Sequence, residues 1–156
     1  MIIAEWIIES NNIEGVYSSI EDRRSCMAWL WFKKNHLNLD TILGLHKKIM
    51  RVHLKDRKDQ LGKWRTVNVR VGNRICPEWQ EVNYLIANWC RTKAFARTES
   101  EIKIAHVEYE KIHPFIDGNG RTGRMIMNWQ RVKNGLKPLC IYNDDKQEYY
   151  MWFEEP

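Results

Sequence analysis

Apolar residues recur at helical spacing along most of this chain. Ile2, Ile3, Trp6, Ile7 and Ile13 fit a short helix over 2–13, which Gly15 can stop. Ser18 with Glu21 three residues on predicts a capping box and a helix to about Asn35. Asp40 can cap a third helix carrying Ile42, Leu45, Ile49 and Met50. Pro77 can open a fourth, with Trp79, Val82, Leu85, Ile86 and Trp89 in register. Thr98 with Glu101 predicts another capping box, for a helix to about Ile112. A further helix spans about Gly120 to Asn134, where Gly135 and Pro138 end it.

One stretch departs from this rhythm. In TVNVRVGNRI, Val67, Val69 and Val71 alternate with Asn68 and Arg70, which argues for a strand. Gly72-Asn73 is a hairpin turn signal. A lone hairpin in a helical domain leaves an edge free. It is either a structural ornament or an edge that accepts a partner's extended segment.

Composition narrows the class. At 156 residues, 44% hydrophobic and 29% charged, the chain suits one globular domain with a real core. Its longest apolar run, Cys26 to Phe32, is far short of a membrane span. The start, MIIAEWIIES, carries Glu5 and Glu9 and no basic lead-in, which argues against a signal peptide. Cys26, Cys76, Cys90 and Cys140 form no CxxC pair, so reduced thiols and a cytoplasmic location are expected. The net charge of +5 could favour acidic partners. The basic residues are dispersed and no nucleic-acid module stands out, so nucleic acid is disfavoured as a partner.

The chemistry concentrates in residues 113–124, HPFIDGNGRTGR. Pro114 biases His113 away from helical dihedrals, so the preceding helix breaks there and a loop begins. Gly118 and Gly120 permit a nest of backbone N–H groups that runs into the next helix's N-terminus, an anion site. Two arginines in that first turn oppose the helix dipole unless an anion covers them. Arg121 and Arg124 are three apart and could grip the outer phosphates of a polyphosphate. Asp117 beside an anion site calls for a cation, and Mg²⁺ held by one carboxylate and phosphate oxygens is the usual solution. Phe115 reads as a core anchor. His113 is the general base at hand for an attacking hydroxyl.

This run resembles the signature of the Fic family, HPFx(D/E)GNGRxxR, at every fixed position. LGKWRTVNVRVG resembles the segment leading into that family's flap, and DDKQEYY resembles its C-terminal Tyr-Tyr region. The resemblance implies a mainly α-helical, Fic-type bundle with a small β-hairpin flap, one domain over 1–156. Within it, 1–17 would be an N-terminal inhibitory helix, 64–76 the flap, and 113–124 the catalytic loop and helix N-terminus.

The activity implied is transfer of AMP from ATP to a Ser, Thr or Tyr hydroxyl of a target protein. His113 would be the base and Asp117 the Mg²⁺ ligand. Gly118, Asn119 and Gly120 would contact phosphate, and Arg121 and Arg124 would hold the β and γ phosphates. Tyr149 or Tyr150 would line the adenine side. The unidentified target would dock by adding a strand to the flap; homo-oligomers and auto-AMPylation stay open.

SNNIEG, Ser10 to Gly15, matches that family's inhibitory pattern (S/T)xxxE(G/N), which implies Glu14 against Arg124. The carboxylate would occupy the arginine that the γ-phosphate needs, leaving ATP misaligned for in-line attack. Rival readings are a de-AMPylating hydrolase that uses Glu14, a transferase with another nucleotide donor, and a non-catalytic nucleotide- or nucleic-acid-binding module.

Overall fold

A computed structural model describes residues 2–154. Seven helices carry the fold: α1 (Glu5–Ile13), α2 (Ser19–Phe32), α3 (Leu39–Met50), α4 (Val82–Lys93), α5 (Glu99–Ile112), α6 (Asn119–Lys133) and α7 (Lys146–Tyr150). A 3₁₀ turn over Met151–Phe153 extends α7. Two short strands, β1 (Arg70–Val71) and β2 (Arg74–Ile75), pair antiparallel with Arg70 opposite Ile75. The architecture is a mainly α-helical bundle with a small hairpin flap, as the resemblance implies. No described helix is long and apolar enough to cross a membrane.

Helix α6 is the central element. From Arg121 to Gln130 every residue is buried, so its polar groups must find partners inside the protein. Asn128 exchanges hydrogen bonds with the backbone of Leu139, at 3.1 and 2.7 Å, and ties down the chain beyond α6. Gln130 Nε2 donates to the Lys93 carbonyl at the end of α4. Around this rod, α5 packs on one side and α3 and α1 on others, with α2 on α3 and α4 on α5. Phe32, Ile42, Leu45, Ile86, Tyr109 and Ile126 lie in the shared apolar core.

Local signals explain most of the helix ends, and tertiary demands explain the exceptions. Thr98 and Glu101 form the reciprocal capping box that starts α5. Ser18 caps α2, but Glu21 does not return the bond: its carboxylate is drawn to Arg121 instead. Asn38, rather than Asp40, caps α3, because Thr41 closes a reciprocal pair with it at 3.0 and 2.9 Å. Asp40 then sits in the first turn, where a negative charge still suits the helix dipole. After Pro77 a 3₁₀ turn at Trp79–Glu81 intervenes before α4 starts at Val82.

The strand expected over Val67–Val71 shrinks to two residues. Among the described residues no second sheet lies beneath the flap to reward its alternation, and Val67, Val71 and Ile75 stay exposed. Gly72 takes φ +57°, the left-handed turn conformation read from the Gly-Asn pair.

Candidate active site

The catalytic-type loop begins where α5 ends in a left-handed residue. His113 has φ +52°, unusual for a residue with a Cβ, and costs about 1–2 kcal/mol in isolation. Arg65 holds it there. That arginine is 2% exposed and donates from Nε to the His113 carbonyl at 2.8 Å. Its other nitrogens reach the carbonyls of Val67 (2.9 Å), Pro77 (2.5 Å) and Ile112 (3.4 Å). Its own N–H donates to the Pro114 carbonyl at 2.9 Å. One buried guanidinium thus joins the base of the flap, the entry to α4 and the loop.

Phe115 is wholly buried, as an anchor should be. The His46 ring stacks on it with centroids 3.8 Å apart. His46 Nδ1 accepts from the Gly62 N–H, which fixes the tautomer, so Nε2–H donates to the Asp117 carbonyl at 2.9 Å. Burial keeps this imidazole neutral by lowering its pKa to about 4. Asn119 clamps the loop from the other end. Its amide accepts from the Phe115 N–H and donates to the Phe115 carbonyl, both at 2.8 Å. Its side chain is therefore spent on the loop, and its backbone N–H is the group left for a phosphate.

Gly118, at φ +83°, caps α6. The N–H groups of Asn119, Gly120 and Arg121 form the first helical turn, which has no intrahelical acceptors. Asp117 lies beside it with its side chain 37% exposed. Its Oδ1 accepts from the Gly118 N–H at 2.7 Å, and its Oδ2 faces His53 Nε2 at 3.2 Å and Arg57 Nη2 at 3.6 Å.

The two arginines of the motif part company. Arg121 Nη1 pairs with Glu21 Oε2 at 2.7 Å, both side chains being buried. His53 bridges on from Glu21 (3.6 Å) to Asp117. Arg121 thus faces α2, whereas Arg124 lines the main cleft. A three-residue step turns about 60° around the helix, enough for α2 to claim Arg121 while α1 claims Arg124.

Arg124 meets Glu14. Its Nη2 donates to Glu14 Oε1 at 2.7 Å and to the Ser10 carbonyl at 2.8 Å, and its Nε donates to Ser10 Oγ at 2.9 Å. Burial opposes the charge on this guanidinium, but Tyr149 and Glu14 more than offset it and hold its pKa above the ordinary value. Gly120 makes the approach feasible: any Cβ there would collide with Glu14 Oε1 and crowd the guanidinium. Both ends of SNNIEG thus bind one side chain, Ser10 and Glu14 standing one helical turn apart.

A cleft of about 750 Å³ opens over these groups. His113, Gly120, Arg124 and Glu14 line it, with the flap turn, Val71 to Arg74, and with Tyr150, Phe153 and Glu154. His113 Nδ1 has no hydrogen-bond partner among the described residues. Burial, with the charges of Arg74 and Arg65, lowers its pKa to about 4, partly offset by the Glu110 carbonyl. It is therefore neutral at pH 7 and able to accept a proton. Tyr149 is buried beneath the cleft, its Oη bonded to His106 Nε2 at 2.9 Å, whereas Tyr150 is half open to it.

The residues that reasoning from sequence passed over are Arg65, His46, Glu21 and His53. Each is bound to a partner distant in sequence; the sequence marks Glu21 only as part of a helix cap, and no local pattern marks the partners of the other three.

The Fic/DOC family profile matches residues 36–130, more than half of the chain. This chain belongs to the Fic/DOC family. Curated relatives include the protein adenylyltransferase fic-1 of Caenorhabditis briggsae, 28% identical over 96% of this chain and 30% of that protein. Another is the protein adenylyltransferase Fic of Aedes aegypti, 29% identical over 95% of this chain and 30% of that protein. The chain thus spans about a third of the length of these Fic proteins. Among solved structures, a Fic domain containing signaling protein from Bacteroides thetaiotaomicron superposes with a TM-score of 0.76 at 19% identity, over 94% of this chain and 69% of that one. Fic-1 from Caenorhabditis elegans gives 0.70 at 22% identity, over 94% and 52%. At such identities the structural likeness speaks for the Fic fold.

Proposed function

We propose that this Fic domain transfers AMP from ATP to a Ser, Thr or Tyr hydroxyl of a target protein, and that Glu14 holds it in check. The observation that carries the reading is the Glu14–Arg124 pair at 2.7 Å in the cleft that His113 also lines. The adenylyltransferase names of the relatives point the same way.

The first turn of α6 would cradle the phosphates through its free N–H groups. The target hydroxyl attacks the α-phosphorus, the bond to the bridging oxygen breaks, and pyrophosphate leaves. His113 takes the hydroxyl proton, having reached neutral pH unprotonated. Asp117 suits Mg²⁺: it is one half-open carboxylate, preset by the Gly118 N–H, next to a phosphate cradle. No group of three or more candidate ligands occurs among the described residues, so phosphate oxygens and water would complete the shell. Mg²⁺, when bound, supplies charge neutralisation at the leaving pyrophosphate.

Arg124 offers the cleft a guanidinium for the terminal phosphate, and Glu14 occupies it. ATP entering beside Glu14 would have its γ-phosphate displaced and its α-phosphorus out of line. The exposed hairpin edge at Val71 and Ile75 supports target docking by strand addition. Tyr150, Phe153 and the flap would face the base. Cys76, Cys90 and Cys140 form no disulfide among the described residues, in keeping with a reducing, cytosolic setting.

Labelled ATP and Mg²⁺ test the proposal. Glu14→Gly should label itself or a lysate protein at least tenfold faster than wild type, an estimate for restored phosphate alignment. Adding His113→Ala should abolish the label. Absence of label on any protein with Glu14→Gly would sink the reading. Release of AMP from a modified target, dependent on Glu14, would point to the reverse reaction instead.

A further inference from the structure

Glu110 is unused by the mechanism above, yet it lines the same cleft. It lies one helical turn before His113 on α5 and is 7% exposed. Its carboxyl lies against the backbone of α6 at Gly123, where any Cβ would collide with Glu110 Oε1 and press on the Tyr109 ring. Gly123 thus makes room for it in the interior of a helix, where glycine is otherwise unfavourable. Oε1 has no hydrogen-bond partner among the described residues. A buried carboxyl oxygen without a bond is costly, and such groups call for an explanation.

The groups facing it are few. Arg124 from α6, Glu14 at the end of α1, Arg74 on β2 and Tyr149 on α7 act on it, as does Tyr109 on its own helix, and His113, just past the end of α5, lines the same cleft. Glu14 holds the Arg124 guanidinium over Gly120, and the Glu110 carboxyl stands over Gly123, one turn on along α6 and in the same cleft, near enough for the two charges to be felt. Burial raises the Glu110 pKa to about 7 and the Glu14 charge adds to that, while Arg124 and Arg74 oppose.

We infer that Glu110 is a second resident carboxylate for Arg124, which takes over the guanidinium when Glu14 withdraws and must accept a proton before a nucleotide's terminal phosphate can replace it. Withdrawal of Glu14 removes one charge that disfavours ionised Glu110 and lets water into the cleft. It also leaves Arg124 without a carboxylate. All three changes favour ionised Glu110 against Arg124. An arriving triphosphate reverses them, and Glu110 then takes one proton from solvent as the phosphate takes its place. Removing Glu14 alone therefore opens the site incompletely, and more so at higher pH.

The inference rests on the reading of Arg124 as a phosphate ligand, so its test has an arm that needs no nucleotide. The δ-carboxyl of Glu110 is followed by ¹³C NMR, assigned by its loss in Glu110→Gln, or in Glu110→Val should the first variant not fold. Its midpoint should lie near neutrality in wild type and fall by about one pH unit or more in Glu14→Gly. An unchanged midpoint would overturn the inference.

In the second arm, calorimetry of Mg²⁺ and ATP with Glu14→Gly in two buffers of different ionisation enthalpy should show uptake approaching one proton per nucleotide. Affinity should weaken by up to about tenfold per pH unit above neutrality. Both effects should vanish in Glu14→Gly/Glu110→Gln, which separates Glu110 from the titration of ATP itself. Binding with the same pH dependence in both variants would also overturn the inference. A shifted midpoint with no ATP binding between pH 6 and 8 would support the takeover by Glu110 and refute the phosphate reading of Arg124.

Discussion

Replacing Arg65 with Met should loosen the catalytic loop without touching a reacting group. The arginine makes three short hydrogen bonds, to the carbonyls of His113, Val67 and Pro77, and a longer one to Ile112. Hydrogen bonds from a charged donor contribute about 1.5–3 kcal/mol each, so the low end for three is about 4–5 kcal/mol. Against this, burying a guanidinium with no carboxylate partner has its own cost, and burial alone depresses its pKa. Met removes that cost, which offsets about 1–2 kcal/mol and leaves a net loss of about 3 kcal/mol. For a chain of this size that corresponds to a fall in Tm of about 9 °C.

The left-handed backbone of His113 would lose the bond that holds its carbonyl, so transfer by the Glu14→Gly background should fall further than stability explains. Arg65→Lys should resemble Met, because an ammonium cannot span the same carbonyls. Urea unfolding and differential scanning calorimetry measure the first effect; label transfer at a temperature where both variants are folded measures the second. A Tm within about 2 °C of wild type, with transfer unchanged, would refute the role assigned to Arg65.

Glu21→Gln should destabilise by about 3–5 kcal/mol by stranding the buried Arg121, whereas Glu21→Leu/Arg121→Met should recover most of the loss; additive losses in denaturation would contradict the pairing. His46→Phe should keep the stacking on Phe115 but orphan the Gly62 N–H and the Asp117 carbonyl, lowering stability by about 2 kcal/mol in urea titration. Acid should unfold the protein through its buried histidines. His46, His106 and His113, held at about 4, 3 and 4 chiefly by burial, contribute stability that is whole above the unfolded value of 6.5 and lost as pH falls toward 4. Glu110, raised to about 7, has the opposite sign: its contribution is whole below about 4.5 and lost as pH rises toward 7. The net slope between pH 4.5 and 6.5 is about two protons, or roughly 2–3 kcal/mol per pH unit, and a flat profile of unfolding free energy would exclude it.

Much of this protein was legible along the chain because its signals are short in range. The Thr98–Glu101 box, the stops at Gly15 and Gly135, and the breaks at Pro114 and Gly118 each act within a few residues. The 113–124 run is likewise local, since a base, an anchor, a carboxylate and an N–H nest fit within one loop and one helical turn. Where local signals competed, the sequence alone misled. Ser18-x-x-Glu21 reads as a reciprocal box, but Glu21 has a buried arginine to answer; Asp40 reads as the cap of α3, but Asn38, two residues earlier, closes a box with Thr41.

What only the tertiary structure decided is which charges meet. Arg121 finds Glu21 across 100 positions, His46 finds the Asp117 carbonyl across 71, and Arg65 finds His113 across 48. Glu14 and Arg124, 110 apart, could be matched only through the resemblance, not by any periodicity. A helix period states which residues share a face, but not which neighbour that face will meet. Arg121 and Arg124 stand one step apart on α6; packing of α1 and α2 on either side sends one into a buried pair and leaves the other in the cleft.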